Sequence, residues 1–272
     1  MKNSLLLLLG LLLALTLQAQ EQRFASPYVN TKSFQAGLGN ASILDTYLTP
    51  ERFTGTAITV LGISERQRKG ASWSTVRQNQ FHFTTAKDRA DNKSMLEACY
   101  NFFWGRYYGW QLLDGSLRLQ AGGTVSLGLG FLYNTRSNAN NPAQGRLALN
   151  IMPSVIATWR LPFLKQRFSL RYELEAPLAG LMFSPNYGQS YYEMFALGNY
   201  DHNIVPTTFI SSPTFRQQLT VQYRLTPTTR LTLGYLGDYQ QAKVNNLKQH
   251  VRTHNLMLGI VTRFSIVHHT TD

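Results

Sequence analysis

The sequence predicts an all-β fold: an antiparallel up-and-down transmembrane β-barrel of about ten strands, preceded by a cleaved export signal. Three observations carry the prediction. Segments of strand length alternate between apolar and polar residues, arginine recurs on the polar parity, and Tyr and Trp mark the segment ends. The segment around residue 220 shows the pattern most clearly. Phe215, Leu219, Val221, Tyr223 and Leu225 share one parity, and Arg216, Gln218, Thr220, Gln222 and Arg224 the other. Successive strand side chains point to opposite faces, so such a segment has one greasy face and one charged face.

Met1 to about Ala19 reads as a secretory signal. Lys2 supplies the positive region, Leu5–Leu17 the apolar core, and Ala19 the small residue before a cut near Gln20. The run is too short for a comfortable transmembrane helix. No Cys follows it to be acylated, and no later apolar run can span a bilayer as a helix. Hydrocarbon excludes unpaired backbone groups, so an exported chain of this kind is either soluble or a closed barrel. A charged fraction of 15%, against roughly 25% in ordinary soluble proteins, and 14 Tyr with 15 Phe suit a lipid-facing band. The expected organisation is a signal over 1–19 and one barrel domain over 20–272. Cys99 stands alone, so the fold depends on no intramolecular disulfide. The net charge of +12 is spread one or two Arg per strand and not clustered, which argues against nucleic acid as a partner.

Ten segments survive a period-two reading. The first two, Ser33–Ile43 and Phe53–Ile63, are separated by Leu44–Arg52, where Asp45 and Pro50 break the pattern. The third is Trp73–Thr85, with Phe81 and Phe83 opposite Gln80 and His82, and Ala86–Ser94 follows as a charged loop. In the fourth, Met95–Leu113, Leu96, Ala98, Tyr100, Phe102, Trp104, Tyr108, Trp110 and Leu112 oppose Glu97, Asn101 and Gln111. Asp114-Gly115 makes a tight hairpin turn because that dipeptide accepts positive φ. The fifth, Ser116–Tyr133, sets leucines against a small polar face of Arg118, Gln120, Gly122, Thr124 and Ser126. Asn134–Arg146 is a solvent loop, Leu147–Arg160 the sixth strand, and Leu161–Gln166 a turn. The seventh, Arg167–Phe183, opposes Phe168, Leu170, Tyr172 and Leu174 to Arg171, Glu173 and Glu175, with Pro177 bending it. Ser184–Pro213 is an extended outer loop or hides a hairpin, which would raise the count to twelve. The last strands are Thr214–Thr226, Arg230–Ala242 and Val251–Ile266, with a tight turn at Thr226–Thr229 and a longer one at Lys243–His250.

With the mature N-terminus in the periplasm, the longer polar loops fall on the outer side and the short turns on the inner, the usual asymmetry of such barrels. Trp73, Trp104, Trp110, Trp159, Tyr133 and Tyr239 read as interface girdles. The inward face holds Arg118, Arg160, Arg167, Arg171, Arg216 and Arg224 with Glu97, Glu173, Glu175 and Asp238. A narrow lumen is filled by side chains, so these groups are expected to form a charge network. A narrow anion-biased pore is the alternative, because rings of Arg select anions. A lipid hydrolase would need a Ser or Thr paired with His. His82 and Thr84 share a face, but the lumen is the wrong side for an acyl chain. Asp201, His202 and Asn203 fit a solvated loop and His268 and His269 a solvated tail; no cofactor or metal is implied.

Two stretches, Asn40-Ala41-Ser42-Ile43-Leu44-Asp45-Thr46-Tyr47-Leu48-Thr49-Pro50 and Ser184-Pro185-Asn186-Tyr187-Gly188-Gln189-Ser190-Tyr191-Tyr192-Glu193-Met194-Phe195-Ala196-Leu197-Gly198-Asn199-Tyr200, resemble an exported Gram-negative envelope family, domain of unknown function 3316. The resemblance covers nearly the whole mature chain. It implies an outer-membrane or envelope protein and carries over no catalytic or binding residues. The alternation Leu256, Leu258, Ile260, Thr262, Phe264 looks like the C-terminal assembly signal of outer-membrane barrels, although residues follow Phe264 where that signal usually ends.

The expectation is therefore a monomeric outer-membrane barrel without enzymatic activity, inserted by the barrel-assembly machinery and surrounded by outer-membrane lipid and lipopolysaccharide. It would act as a structural or interaction scaffold. Tyr187, Tyr191, Tyr192, Phe195 and Tyr200 in the long loop at about 184–213 would contact a ligand that the sequence does not name. A pore, a lipid hydrolase and a soluble periplasmic lipocalin-like carrier are the rival readings.

Overall fold

The computed structural model describes residues 27–135, 142–162 and 167–265. The expected signal segment and the tail with His268 and His269 lie outside them. So do most of the Leu161–Gln166 turn and the centre of the Asn134–Arg146 loop.

Twelve strands and one short helix follow one another: β1 (Tyr28–Asp45), β2 (Thr49–Arg68), β3 (Trp73–Lys87), β4 (Ser94–Leu112), β5 (Leu117–Asn134), β6 (Ala143–Arg160), β7 (Phe168–Glu175), β8 (Ala179–Phe183), α1 (Tyr191–Phe195), β9 (Ile204–Thr208), β10 (Phe215–Arg224), β11 (Thr229–Val244) and β12 (Leu247–Phe264). All pairings are antiparallel, and β1 pairs with β12 from Asn30↔Phe264 to Asp45↔Gln249, which closes the sheet. The closed ring has ten members: β1 to β7, then β10, β11 and β12. The two extra strands are β8 and β9. β6 pairs with β7 through Ser154–Arg160 and with β8 through Ala148–Ile151, so β8 prolongs β7 along the same edge. The break between them falls on Pro177, which has no N–H to donate. Its neighbours stay tied to β6 by Ala176 N to Pro153 O at 3.3 Å and Leu178 N to Ile151 O at 2.8 Å. The hairpin suspected in Ser184–Pro213 is thus partly real, and it lengthens two barrel strands without adding members to the ring.

Closure pairs each of the ten ring strands on both sides, the condition for a sheet in contact with hydrocarbon. The outward parity is apolar over much of the circumference. Phe34, Leu38, Phe81, Phe83, Leu129, Phe131, Leu149, Ile151, Leu219, Leu233, Leu256 and Leu258 are all exposed. At the end carrying both chain termini, Trp73 stacks edge-on against Tyr108 (5.3 Å), and Tyr108 against Trp110 (5.0 Å), with Trp159 exposed on β6. Tyr133 and Tyr239 lie towards the other end, while Trp104 sits farther along β4, inside the band. Among the described residues no helix is long and apolar enough to cross a membrane, which leaves crossing by strands untouched.

Two connections differ from expectation. β1 and β2 are joined by residues 46–48 alone, with Pro50 inside β2, so Leu44–Arg52 is not a loop. Lys243–His250 is likewise mostly strand. Asn245 and Asn246, at φ 50° and 59°, turn β11 into β12 as a two-residue hairpin. Asn tolerates that left-handed backbone, and the strand twist favours it. The loop end of the barrel is therefore dominated by the excursions between β3 and β4, β5 and β6, and β8 and β9.

Candidate functional site

Buried side chains fill the middle of the lumen as a plug with a polar and an apolar half. Arg216 on β10, 2% exposed, is the hub of the polar half. Its Nε donates to Gln80 Oε1 at 2.8 Å and a terminal nitrogen to Gln78 Oε1 at 3.0 Å. The other terminal nitrogen reaches Glu175 Oε2 at 3.4 Å and Glu173 Oε1 at 3.8 Å, and the guanidinium lies 4.9 Å from the Phe103 ring centroid. Gln78 donates to Glu173, Arg171 bridges Glu173, and Gln80 donates to Asp238 Oδ2 at 2.7 Å. The strand register explains the convergence. Arg216 sits beside Glu175 on β7 and Asp238 on β11, and its long side chain crosses the lumen to Gln78 and Gln80 on β3. Buried charges persist only where partners compensate them, and these are compensated.

The apolar half comprises Leu61, Ile63, Val76, Tyr107, Ile156, Leu236 and Met257, all 8% exposed or less. The Tyr107 hydroxyl joins it to the polar half, 2.8 Å from Thr124 Oγ1 and 2.9 Å from Ser154 Oγ. Sequence reasoning missed this half. On β2, Phe53, Ala57, Leu61 and Ile63 face inward together with Thr59, while Ile58 and Val60 share the outward parity with Thr54, Thr56 and Ser64. Apolar residues on both parities of β2 were the available signal.

On the loop side of the plug, Glu97 accepts from Thr84 Oγ1 at 2.8 Å and lies 3.6 Å from an Arg146 nitrogen. His82 Nε2 is 3.0 Å from Asn101 Nδ2 and 3.6 Å from Asp238 Oδ2. Thr84 thus serves Glu97 and not His82, so the pair does not form a nucleophile and base. His82, Glu97 and Cys99 bring one nitrogen, one oxygen and one sulfur within 4.8 Å of one another, a set able to ligate a soft divalent cation. The Arg146 guanidinium already supplies positive charge to Glu97 there.

Not every inward arginine of the sequence lies in the network. Arg167 is a correction: it precedes β7, is exposed, and donates to the outward Tyr223 hydroxyl at 3.2 Å. Arg160 and Arg224 end their strands exposed at the rim that carries the termini, Arg160 donating to the Gly115 carbonyl. Arg118 pairs with Glu65 at 2.9 Å. Below the plug, Arg118, Arg160, Arg171, Arg230 and Arg263 surround a vestibule of about 360 Å³ that opens at this rim.

At the opposite end, residues 184–203 form an ordered cap. α1 starts with a reciprocal box: Ser190 Oγ accepts from Glu193 N at 3.1 Å, and Glu193 Oε2 accepts from Ser190 N at 2.7 Å. Met194 is its fully buried residue. Tyr191, expected to be a contact residue, is instead an anchor. Its hydroxyl accepts from Gly145 N at 2.6 Å and donates to Gln144 Oε1 at 3.1 Å, and its ring meets Tyr47 edge-on at 6.0 Å. Tyr47 donates to Gln189 O at 2.8 Å; burial pushes its phenol up to about 12. Asn245 Nδ2 donates to the Ser184 and His202 carbonyls, both at 3.0 Å. The cap is therefore fastened to β6 and to both tight turns. It leaves Tyr187, Tyr192, Phe195, Leu197 and Tyr200 exposed by 61–74%.

A family model described as protein of unknown function DUF3316 matches residues 4–271. No curated protein matches the chain. Among solved structures, Neisserial surface protein A is similar at 13% identity with a TM-score of 0.35, over 89% of this chain and all of that one. The translocator domain of the autotransporter NalP from Neisseria meningitidis is similar at 10% identity and 0.40, over 97% of each chain. The outer membrane protease OmpT from Escherichia coli is similar at 10% identity and 0.40, over 90% of this chain and 99% of that one.

Proposed function

The chain belongs to the DUF3316 family, and we propose that it is an outer-membrane barrel protein with a closed lumen, acting without enzymatic chemistry as a contact scaffold through its cap. The observation that carries this reading is the pairing of a plugged lumen with an ordered, aromatic-rich cap. The Arg216 network and the Leu61–Met257 cluster fill the middle of the lumen with buried side chains, which supports a closed barrel, and five large apolar or aromatic side chains stand out from a cap too well fastened to be a passive linker. Aromatic rings on a rigid support bind partners at low entropic cost, because few rotamers are lost.

The outward apolar band and the closed ten-strand ring support insertion in the outer membrane. The band would meet lipid and lipopolysaccharide, and the barrel-assembly machinery would insert a monomer. The short turns at the terminal end support a periplasmic position for that end, with the cap outside. The anion-pore reading would need the plug to move.

Two measurements test the proposal. Single-channel recording of the folded protein in a planar bilayer should give no discrete steps; anion-selective steps would replace the scaffold by a pore. A photoreactive phenylalanine analogue at Tyr192 or Phe195 on intact cells should trap a discrete adduct that the same probe at the inward Phe103 does not. No adduct at either cap position would sink the scaffold reading.

A further inference from the structure

We propose that the vestibule at the terminal end is a binding site for a multiply charged phosphate-type anion. The inference rests on the plug, shared with the functional reading above, but not on the cap. Five guanidiniums line the cavity against one carboxylate, Glu65. That carboxylate is already committed, to Arg118 at 2.9 Å and to Gln120 Nε2 at 3.1 Å. Arg171 is bridged to Glu173 of the plug. Among the described residues Arg160, Arg230 and Arg263 have no carboxylate partner. Arg230 donates to the neutral Gln222 Oε1 at 3.0 Å and Arg160 to a backbone carbonyl.

These cations crowd one another: Arg263, Arg224 and Arg160 all lie near enough to Arg230 to repel it. An isolated protein gains nothing from holding like charges around a void. An anion in that void turns each repulsion into a charge-assisted hydrogen bond, and arginine's planar fork matches two phosphate oxygens at once. Thr31, Ser33, Gln67 and Thr228 add neutral donors to the same wall. Ile63 and Val261, also in the wall, carry it up to the apolar half of the plug. The pocket is therefore blind, so an anion entering from the periplasmic side binds and returns the way it came. The surplus of guanidiniums over carboxylates favours a diphosphate-like group over a singly charged ion. Such chemistry could come from a soluble diphosphate or from the phosphate headgroup of an anionic lipid in the inner leaflet.

The test is calorimetric titration of inorganic pyrophosphate into the full mature chain, folded in nanodiscs of phosphatidylcholine alone or with phosphatidylglycerol, with folding checked by heat-modifiable mobility. Saturable binding of one pyrophosphate per chain is expected in phosphatidylcholine, weakened at least tenfold by Arg230→Gln. The outward Arg77→Gln, which changes the net charge equally, should leave it unaltered. If phosphatidylglycerol lowers the apparent affinity several-fold and Arg230→Gln erases that difference, the lipid headgroup is the resident source. If it does not, the source is soluble. Absence of saturable binding in both disc types, or binding indifferent to Arg230→Gln, overturns the proposal. Single-channel recording on the same preparations separates the two failures: conduction would break the closed-lumen reading, while a silent barrel that ignores pyrophosphate would break only this one.

Discussion

Replacing Arg216 by Met should destabilise the barrel by about 3–5 kcal/mol, the usual cost of removing one partner from a buried ion pair. The magnitude follows from what is left behind. Glu173 and Glu175 are both fully buried. Arg171 remains to neutralise Glu173, but Glu175 is left beside that like carboxyl with a long contact from Ser154 Oγ at 3.5 Å and only the more distant Arg171 as a cation. Gln78 Oε1 and Gln80 Oε1 also lose their donors, each worth roughly 1–3 kcal/mol when buried and unsatisfied. The assay is the urea dependence of heat-modifiable mobility in lipid vesicles, with the midpoint converted through a common slope. The double variant Arg216→Met with Glu175→Gln should recover at least half of the loss, because it removes the orphaned charge. A single-variant cost below about 1 kcal/mol would mean that water reaches these groups and that the plug is not the dry closure described above.

Other outcomes follow from single positions. A Cβ on Gly122 would sit 2.0 Å from the Arg106 carbonyl oxygen, whereas one on Gly123 would meet nothing within 4 Å. Gly122→Ala should therefore cost about 1–3 kcal/mol by the same urea assay, and Gly123→Ala no more than about 0.5 kcal/mol. Leu233, 49% exposed in the middle of the outward band, should cost about 2–4 kcal/mol when changed to Arg in vesicles, the expected penalty on a lipid face; a change within about 0.5 kcal/mol would fit a water-facing surface instead. Tyr191→Phe should speed protease cleavage within 184–203 without lowering the barrel's urea midpoint, because it removes the acceptor for Gly145 N. The Tyr47 phenol titrates higher folded than unfolded, so its contribution to holding the cap is complete below pH 10 and fades as pH rises towards about 12. Cap proteolysis that already accelerates well below pH 10, or that stays flat up to about pH 12, would contradict the clamp.

Much of this architecture was legible because a barrel wall is a local pattern repeated. On β4, β5 and β6 the leucine-rich and aromatic parity read from the alternation faces out; the opposite parity faces in, small and polar along most of β5 but interrupted by Phe103 and Tyr107 on β4 and by Met152 and Ile156 on β6. The tight turn at Asp114-Gly115, where Leu113, Asp114 and Gly115 all take positive φ, was equally plain from the dipeptide. Asn245-Asn246 carried the same kind of signal and was passed over in favour of a longer loop. β2 has apolar residues on both parities for a physical reason: Leu61 and Ile63 fill the lumen while Ile58 and Val60 face outward, so alternation alone does not say which face is which. Tyr191 could not be sorted from Tyr192 by composition, since one ring is anchored by Gly145 on a strand 46 residues away and the other is not.

The alternation of the strands, the arginines and carboxylates on several inward faces, and closure as a barrel of about ten members could all be read from the chain alone, because backbone geometry and side-chain parity act over neighbouring residues. Only the tertiary structure decided which inward charges meet. Arg216 finds Gln78 and Gln80 across 138 and 136 residues, while Arg160 and Arg224 stop at the rim. Closure curls the sheet so that opposite walls come within one side-chain length, and strand shear sets the height at which each residue arrives. Those two quantities belong to the ring as a whole, and no single strand encodes them.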